Sequence, residues 1–263
     1  MRPIYLLLLL VPLGLAAQQP LVADHTPLSA DYFIGIDKFK NLYYIEEMVL
    51  KKTGPLGNFV FRDYQLGPIT SVDIINPFNV VVFYEEANMV VFLDNRLNEI
   101  NRLNFNELDD FIMLKAVRNA GNNQLWAFDI NTQQLELYNY RNGRKTLISQ
   151  PITGEVRQLA GDFNYCYLLT RDSLSKYNIY GSFLWEIPVS NASQVVLSDN
   201  RLLLIRENNV DLLDPASGEL LRAIDTGLEL PEKTGFDLQL NRDFLYLYNG
   251  VELRALPLTN PKD

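Results

Sequence analysis

Histidine and cysteine are nearly missing from this chain: His25 and Cys166 stand alone among 263 residues. Nucleophilic sites of the Ser-His-Asp or Cys-His kind need a histidine base, and zinc and copper sites draw mainly on these two side chains. Composition therefore argues against both classes, and an exported chain with one cysteine holds no internal disulfide. Cys166 sits in the strand-like run 164–169 and reads as a buried structural thiol. GxGxxG, Walker and EF-hand patterns are lacking as well. Positive charge is scarce: 23 Lys and Arg face 32 Asp and Glu, for a formal net charge of −9. So acidic a chain has no electrostatic case for nucleic acid or an anionic lipid surface. Helical periodicity is also thin; its best candidate, Leu103 to Leu114, is spoiled by Asn and Asp.

Long apolar runs are confined to the N-terminus. Arg2 is followed by Leu6 to Leu10, Val11 and Leu13, then by the small residues Gly14, Ala16 and Ala17. This is the layout of a secretory signal peptide over residues 1–17, and it is shorter than the roughly 20 apolar residues that span a bilayer. No second such segment follows. The expectation is an exported chain, periplasmic or outer-membrane-associated, soluble after signal cleavage and without direct membrane insertion. The remaining stretch of roughly 245 residues suits one large all-β domain or two smaller ones.

What the chain has in quantity is short strands. Runs of four to eight residues rich in Val, Ile, Leu, Phe and Tyr alternate with Asn, Asp, Gly and Pro clusters. An asparagine precedes an apolar run at 41, 79, 123, 164, 200 and 241, with spacings of 38, 44, 41, 36 and 41. A second marker, Asp94, Asn139, Asn178 or Asp214, follows its asparagine by 15, 16, 14 and 14 residues. Asn and Asp tolerate left-handed backbone angles and bond nearby backbone groups, so both markers read as turn chemistry. Placed in register, each unit holds four strands in about 40 residues, which is the blade of a β-propeller. The fold expected is all-β, a single propeller over residues 30–263, with six four-stranded blades the best count and five to seven compatible with the pattern. The last unit lacks a full fourth strand. The N-terminal segment 18–29, through Pro20 to Ala23, is free to close the ring.

Two turns carry a family resemblance. Leu213-Asp214-Pro215-Ala216-Ser217-Gly218-Glu219-Leu220-Leu221, and Tyr180-Gly181-Ser182-Phe183-Leu184-Trp185, resemble the turn and outer strand of the quinoprotein-type (PQQ-like) repeat. In kind this is similar to BamB-like propellers of outer-membrane assembly, and it implies an exported propeller without catalysis. The Gly-His and Trp-Asp markers of WD40 repeats are missing. Calcium-ligating and stacking residues for a bound quinone are not marked, so no cofactor and no metal are expected.

Two sets of residues are candidates for binding. Glu46, Glu47, Glu85, Glu86, Asp129, Asp172 and Glu207 lie five to eight residues after a repeat asparagine. That offset places them on hairpins between second and third strands, which share one face of the disc with the links between blades. They form a candidate acidic rim for a basic partner or cations, although solvated hairpin tips that discourage edge pairing have the same composition. On the opposite face, Phe39, Phe78 and Phe163 occupy the turns before three repeat asparagines. Exposed aromatics gathered on one surface mark an interface; rings folded over their own blades are the alternative. Asn191-Ala192-Ser193 fits an N-glycosylation acceptor, and Asp172-Ser173-Leu174 a short O-glycosylation motif.

Together these features lead to the expectation of a non-catalytic propeller, a monomer within a larger complex, with protein partners in the cell envelope. Its expected role is interaction or scaffolding in an outer-membrane or secretion assembly. A carbohydrate- or small-ligand-binding propeller is the first alternative. A carboxylate-dependent hydrolase is the second, since paired acids serve glycoside hydrolysis.

Overall fold

The computed structural model describes residues 26–198, 201–206, 209–224, 237–241 and 244–257. They form six four-stranded antiparallel sheets. Each of the first five sheets uses four strands in sequence order, over residues 32–61, 71–104, 114–147, 156–188 and 192–224. The sixth uses three strands over 237–257 and takes its fourth from the other end of the described chain. There Thr26–Pro27 pairs antiparallel with Glu252–Pro257, matching Thr26 to Leu253 and Pro27 to Glu252. This is a six-bladed propeller, as the repeat predicts. Helix is limited, among the described residues, to the single 3-10 turns Tyr64–Leu66 and Phe105–Glu107. The weak helical pattern over Leu103 to Leu114 becomes the second of these turns and a link to the third blade.

The first strand of each blade faces the axis. These strands are Tyr32–Ile36, Ser71–Asp73, Leu114–Gly121, Val156–Gly161, Ala192–Ser198 and Asp237–Leu240. The second strands, such as Val80–Tyr84 and Arg201–Arg206, lie between two blades and read as near-continuous apolar runs because both faces are covered. Val80, Val82 and Tyr84 pack toward the first blade, while Val81 and Phe83 pack toward the third. All six apolar clusters have this character: each is a seam built from two neighbouring blades. Trp126 and the expected buried thiol Cys166 meet in the third-to-fourth seam, where burial pushes the Cys166 thiol up.

Polar groups cross the seams as well. Lys52 donates to Asn95 O of the next blade at 2.6 Å and lies over the Tyr43 ring. Three blades on, Lys176 donates to Pro215 O at 2.5 Å over the Tyr165 ring. Burial lowers the pKa of both amines. The carbonyl and ring faces nonetheless give each ammonium partners that a bare apolar seam would not.

The markers map onto turns with one refinement. Asp94, Asn139, Asn178 and Asp214 each accept a backbone N–H two residues on, the Asx geometry their spacing implies. In the turns before Asn41, Asn79 and Asn164, however, the capping oxygen belongs to an earlier residue. It comes from Asp37, Asn76 and Asp162, which accept from Phe39, Phe78 and Asn164 N–H.

The closing strand is fastened by one phenol. Tyr248 Oη donates within reach of Leu28 O at 3.2 Å and Ala30 O at 2.7 Å, and accepts from Ala30 N–H. Pro20 to Ala23 and residues 1–17 lie outside the described residues. Tyr248→Phe should cost about 1–2 kcal/mol, the net worth of a buried phenol with several partners. Deleting residues 18–28 should cost more, because it also exposes the edge of the sixth blade. Urea unfolding of the three proteins checks this; equal midpoints would show that the segment closes nothing.

Candidate functional site

The inner strands enclose an axial channel whose two halves each have a volume of about 560 Å³. Six residues line both halves, one from each blade: Ile34, Val72, Arg118, Gln158, Gln194 and Leu238. In order around the ring, blades six, one and two present Leu238, Ile34 and Val72. Blades three, four and five present Arg118, Gln158 and Gln194. The waist is therefore apolar on one half of its circumference and polar on the other.

The polar waist residues also lace the blades together. Arg118 Nε donates to Leu159 O at 2.8 Å. Gln158 grips the next inner strand at two points, accepting from Val195 N–H at 2.6 Å and donating to Val195 O at 3.1 Å. Gln239 makes the same double contact with Ile36 across the closure of the ring. Gly35 has φ +153°, and a Cβ there would lie 2.8 Å from Gln239, so glycine is what admits this clasp. Asp73 accepts from Asn119 N–H at 2.9 Å, and Arg157 donates to Ala192 O at 2.8 Å. No sequence motif marks these residues. A signal exists: Gly35, Asp73, Gln158 and Gln194 each stand six residues before a repeat asparagine.

The predicted aromatic set is partly brought together. Phe39 and Phe78, from adjacent blades, meet edge to face with ring centroids 5.5 Å apart and an interplanar angle of 75°. They are 46% and 56% exposed, and Lys38 Nζ lies 5.3 Å from the Phe39 centroid. Exposed Ile75 extends the patch to the rim of the channel half lined by Lys38 and Pro77. Phe163 lines that same opening from the fourth blade but rests on Gly121 of the third, where a Cβ would stand 3.0 Å from the ring. It is not part of the pair.

The acidic set is dispersed. Glu47, Glu86 and Asp172 are exposed on hairpins. Glu46 is held by Lys51 and Ser29, with its carboxyl lowered first by the Lys51 contact. Glu85 pairs with Lys115 at 2.6 Å. Asp129 is 1% exposed and caps its turn by accepting from Asn131 and Met113 N–H, so it belongs to the interior and not to a rim. Glu207 lies outside the described residues. No group of three or more His, Cys, Asp or Glu among the described residues could hold a metal ion. No described helix is long and apolar enough to cross a membrane.

Compared by sequence, the chain matches no protein-family profile and no curated protein. Its structure is similar to that of a streptogramin B lyase, with a TM-score of 0.62 and 10% identity over 90% of this chain and 87% of that one. A catalytically inactive histidine-to-alanine variant of virginiamycin B lyase from Staphylococcus aureus, with quinupristin, superposes at 0.57 and 10% identity, covering 90% and 86%. A chain of the mitotic checkpoint complex gives 0.60 and 9%, covering 84% and 71%. At such identities the likeness is one of fold, shared by an enzyme and by a component of an assembly.

Asp237, at the entrance to the other channel half, is the strongest titrating group of the lining. Burial pushes its carboxyl from 3.8 up to about 6, against the pull of the Phe33 N–H it accepts. An acid with a higher pKa folded than unfolded holds its proton more tightly in the fold. Its stabilising contribution is full below about pH 4 and is lost as pH rises through about 6. Asp237→Asn, which keeps an acceptor for Phe33, should be more stable than the parent by about 1–2 kcal/mol at pH 7.5 and equal to it near pH 3.5. Parallel unfolding curves at the two pH values test this; a constant difference would place the effect elsewhere.

Proposed function

We propose that the chain is an exported, non-catalytic propeller that serves as an interaction or scaffold subunit of a cell-envelope assembly. The observation that carries this reading is the Phe39–Phe78 pair. The two rings satisfy each other across a seam, yet each leaves about half its surface in water beside the exposed Ile75. Aromatic anchors next to a recess are the residues that dominate binding energy when a partner covers them. The run Leu6 to Leu10 behind Arg2 supports export.

The non-catalytic part of the reading rests on how the candidate acids are used. Glu46 and Glu85 are engaged by lysines and Asp129 by a turn, which takes these three acids out of a facing pair of free carboxylates. The lyase neighbour loses catalysis when a histidine becomes alanine. This chain has a single histidine, His25, which lies outside the described residues.

Phe39→Ser with Phe78→Ser should change stability by under about 1 kcal/mol, as surface substitutions do. It should lower recovery of co-purifying envelope proteins by about tenfold, which corresponds to one lost anchor of roughly 1.4 kcal/mol. Affinity purification followed by mass spectrometry reads the second quantity. A large loss of stability would instead assign both rings to the fold.

A further inference from the structure

The half of the channel away from the aromatic patch has a charge opposite to that of the whole chain. Arg118 and Arg157 line it from neighbouring blades, and Asp237 is the one acid among its described lining residues. Neither arginine forms an ion pair with a described residue. Each is instead anchored through one nitrogen to a backbone carbonyl of the following strand or blade, Arg118 to Leu159 O and Arg157 to Ala192 O, both at 2.8 Å. A guanidinium carries five N–H donors, so most of each fork stays free for a second acceptor. The anchoring also removes rotamer freedom before any ligand arrives. Asp237 is already committed to Phe33 N–H. It enters from the sixth blade, on the apolar side of the ring.

Facing the arginines are Ile34, Val72 and Leu238, with Ile69 at the entrance. A volume of about 560 Å³ with one apolar wall and a few fixed polar donors has the size and character of a small-molecule site. Gln158 is held in place on this wall, because both ends of its amide are engaged by Val195.

We infer that this half of the channel binds a small aliphatic carboxylate, its carboxylate on Arg118 and Arg157 and its hydrocarbon chain along Ile34, Val72 and Leu238. Paired guanidinium N–H groups match the two oxygens of a carboxylate in spacing and charge. The apolar wall gains from each methylene it covers. A neutral sugar would satisfy neither the unpaired charge nor the apolar wall.

The probe is octanoate, titrated by calorimetry into the purified full-length chain, with octanamide as an uncharged match. Methyl NMR spectra are recorded in parallel. Octanoate should bind saturably below about 1 mM, with octanamide at least about tenfold weaker. Methyl shifts should concentrate on Ile34, Val72 and Leu238. Arg157→Gln, at an exposed position, and Arg118→Gln should each weaken octanoate by about tenfold or more, the loss expected for one charge-assisted contact. Arg157→Gln keeps the test decisive should Arg118→Gln unfold. No saturable binding up to about 10 mM, equal affinity for octanamide, full affinity in Arg157→Gln, or shifts confined to other methyls would each overturn the assignment.

Discussion

Everything in this molecule depends on the seam between two blades. A single four-stranded sheet of this sequence has two apolar faces and nothing of its own to cover them. Each seam takes the inward alternation of one blade and the outward alternation of the next and buries both. A fully buried Leu, Val or Phe contributes about 1.5–3 kcal/mol, so no blade is stable alone and the ring has to close. Closure places the heaviest demand on the sixth seam, where Phe33 and Ile36 of the first blade meet Tyr246 and Tyr248 of the last. There Thr26–Pro27, the Tyr248 phenol and the Gln239 clasp bring residues more than 200 positions apart into register.

The channel is a by-product of that closure. Six inner strands cannot meet at a point, and their axis-facing side chains are left lining a space that no seam fills. Where a polar residue occupies such a position, it meets the exposed backbone edge of the next inner strand. Gln158, Gln239, Asp73, Arg118 and Arg157 all resolve this in one way, by bonding that backbone across the gap. In the two arginines the solution leaves charge to spare. This is how a chain of net charge −9 comes to hold a cationic chamber at its centre.

The two faces differ because their loops do different work. Turns after the inner strands are tight and are capped by Asp37, Asn76 and Asp162, which pushes Phe39 and Phe78 outward at their tips. Hairpins on the other face are more varied. Glu47 and Met48 form a two-residue turn with both φ values positive, while Asp129 turns inward to cap its own hairpin. An acid six residues after its marker can therefore face solvent in one blade and be buried in another. Offset alone could not separate Glu47 from Asp129.

Blade number, strand order and the turn markers were legible from the spacing of Asn41 through Asn241, because a unit that must cover its neighbour repeats its apolar pattern at a near-fixed length. The position of Phe39 and Phe78 at the tips of tight turns was legible too, but their exposure was not, since rings folded over their own blades fit the same pattern and Phe163 rests on Gly121. The capping residues were one step harder: Asp37 and Asp162 precede the more regular asparagines that drew attention to those turns. What the sequence by itself determined is thus the set of blades and their local turns, properties of contacts within about 40 residues. Which side chains meet across the axis was decided only by the tertiary structure. Leu238, Ile34 and Val72 form one wall, and Arg118, Gln158 and Gln194 the other, because ring closure sets the sixth blade beside the first, and no local pattern records that adjacency.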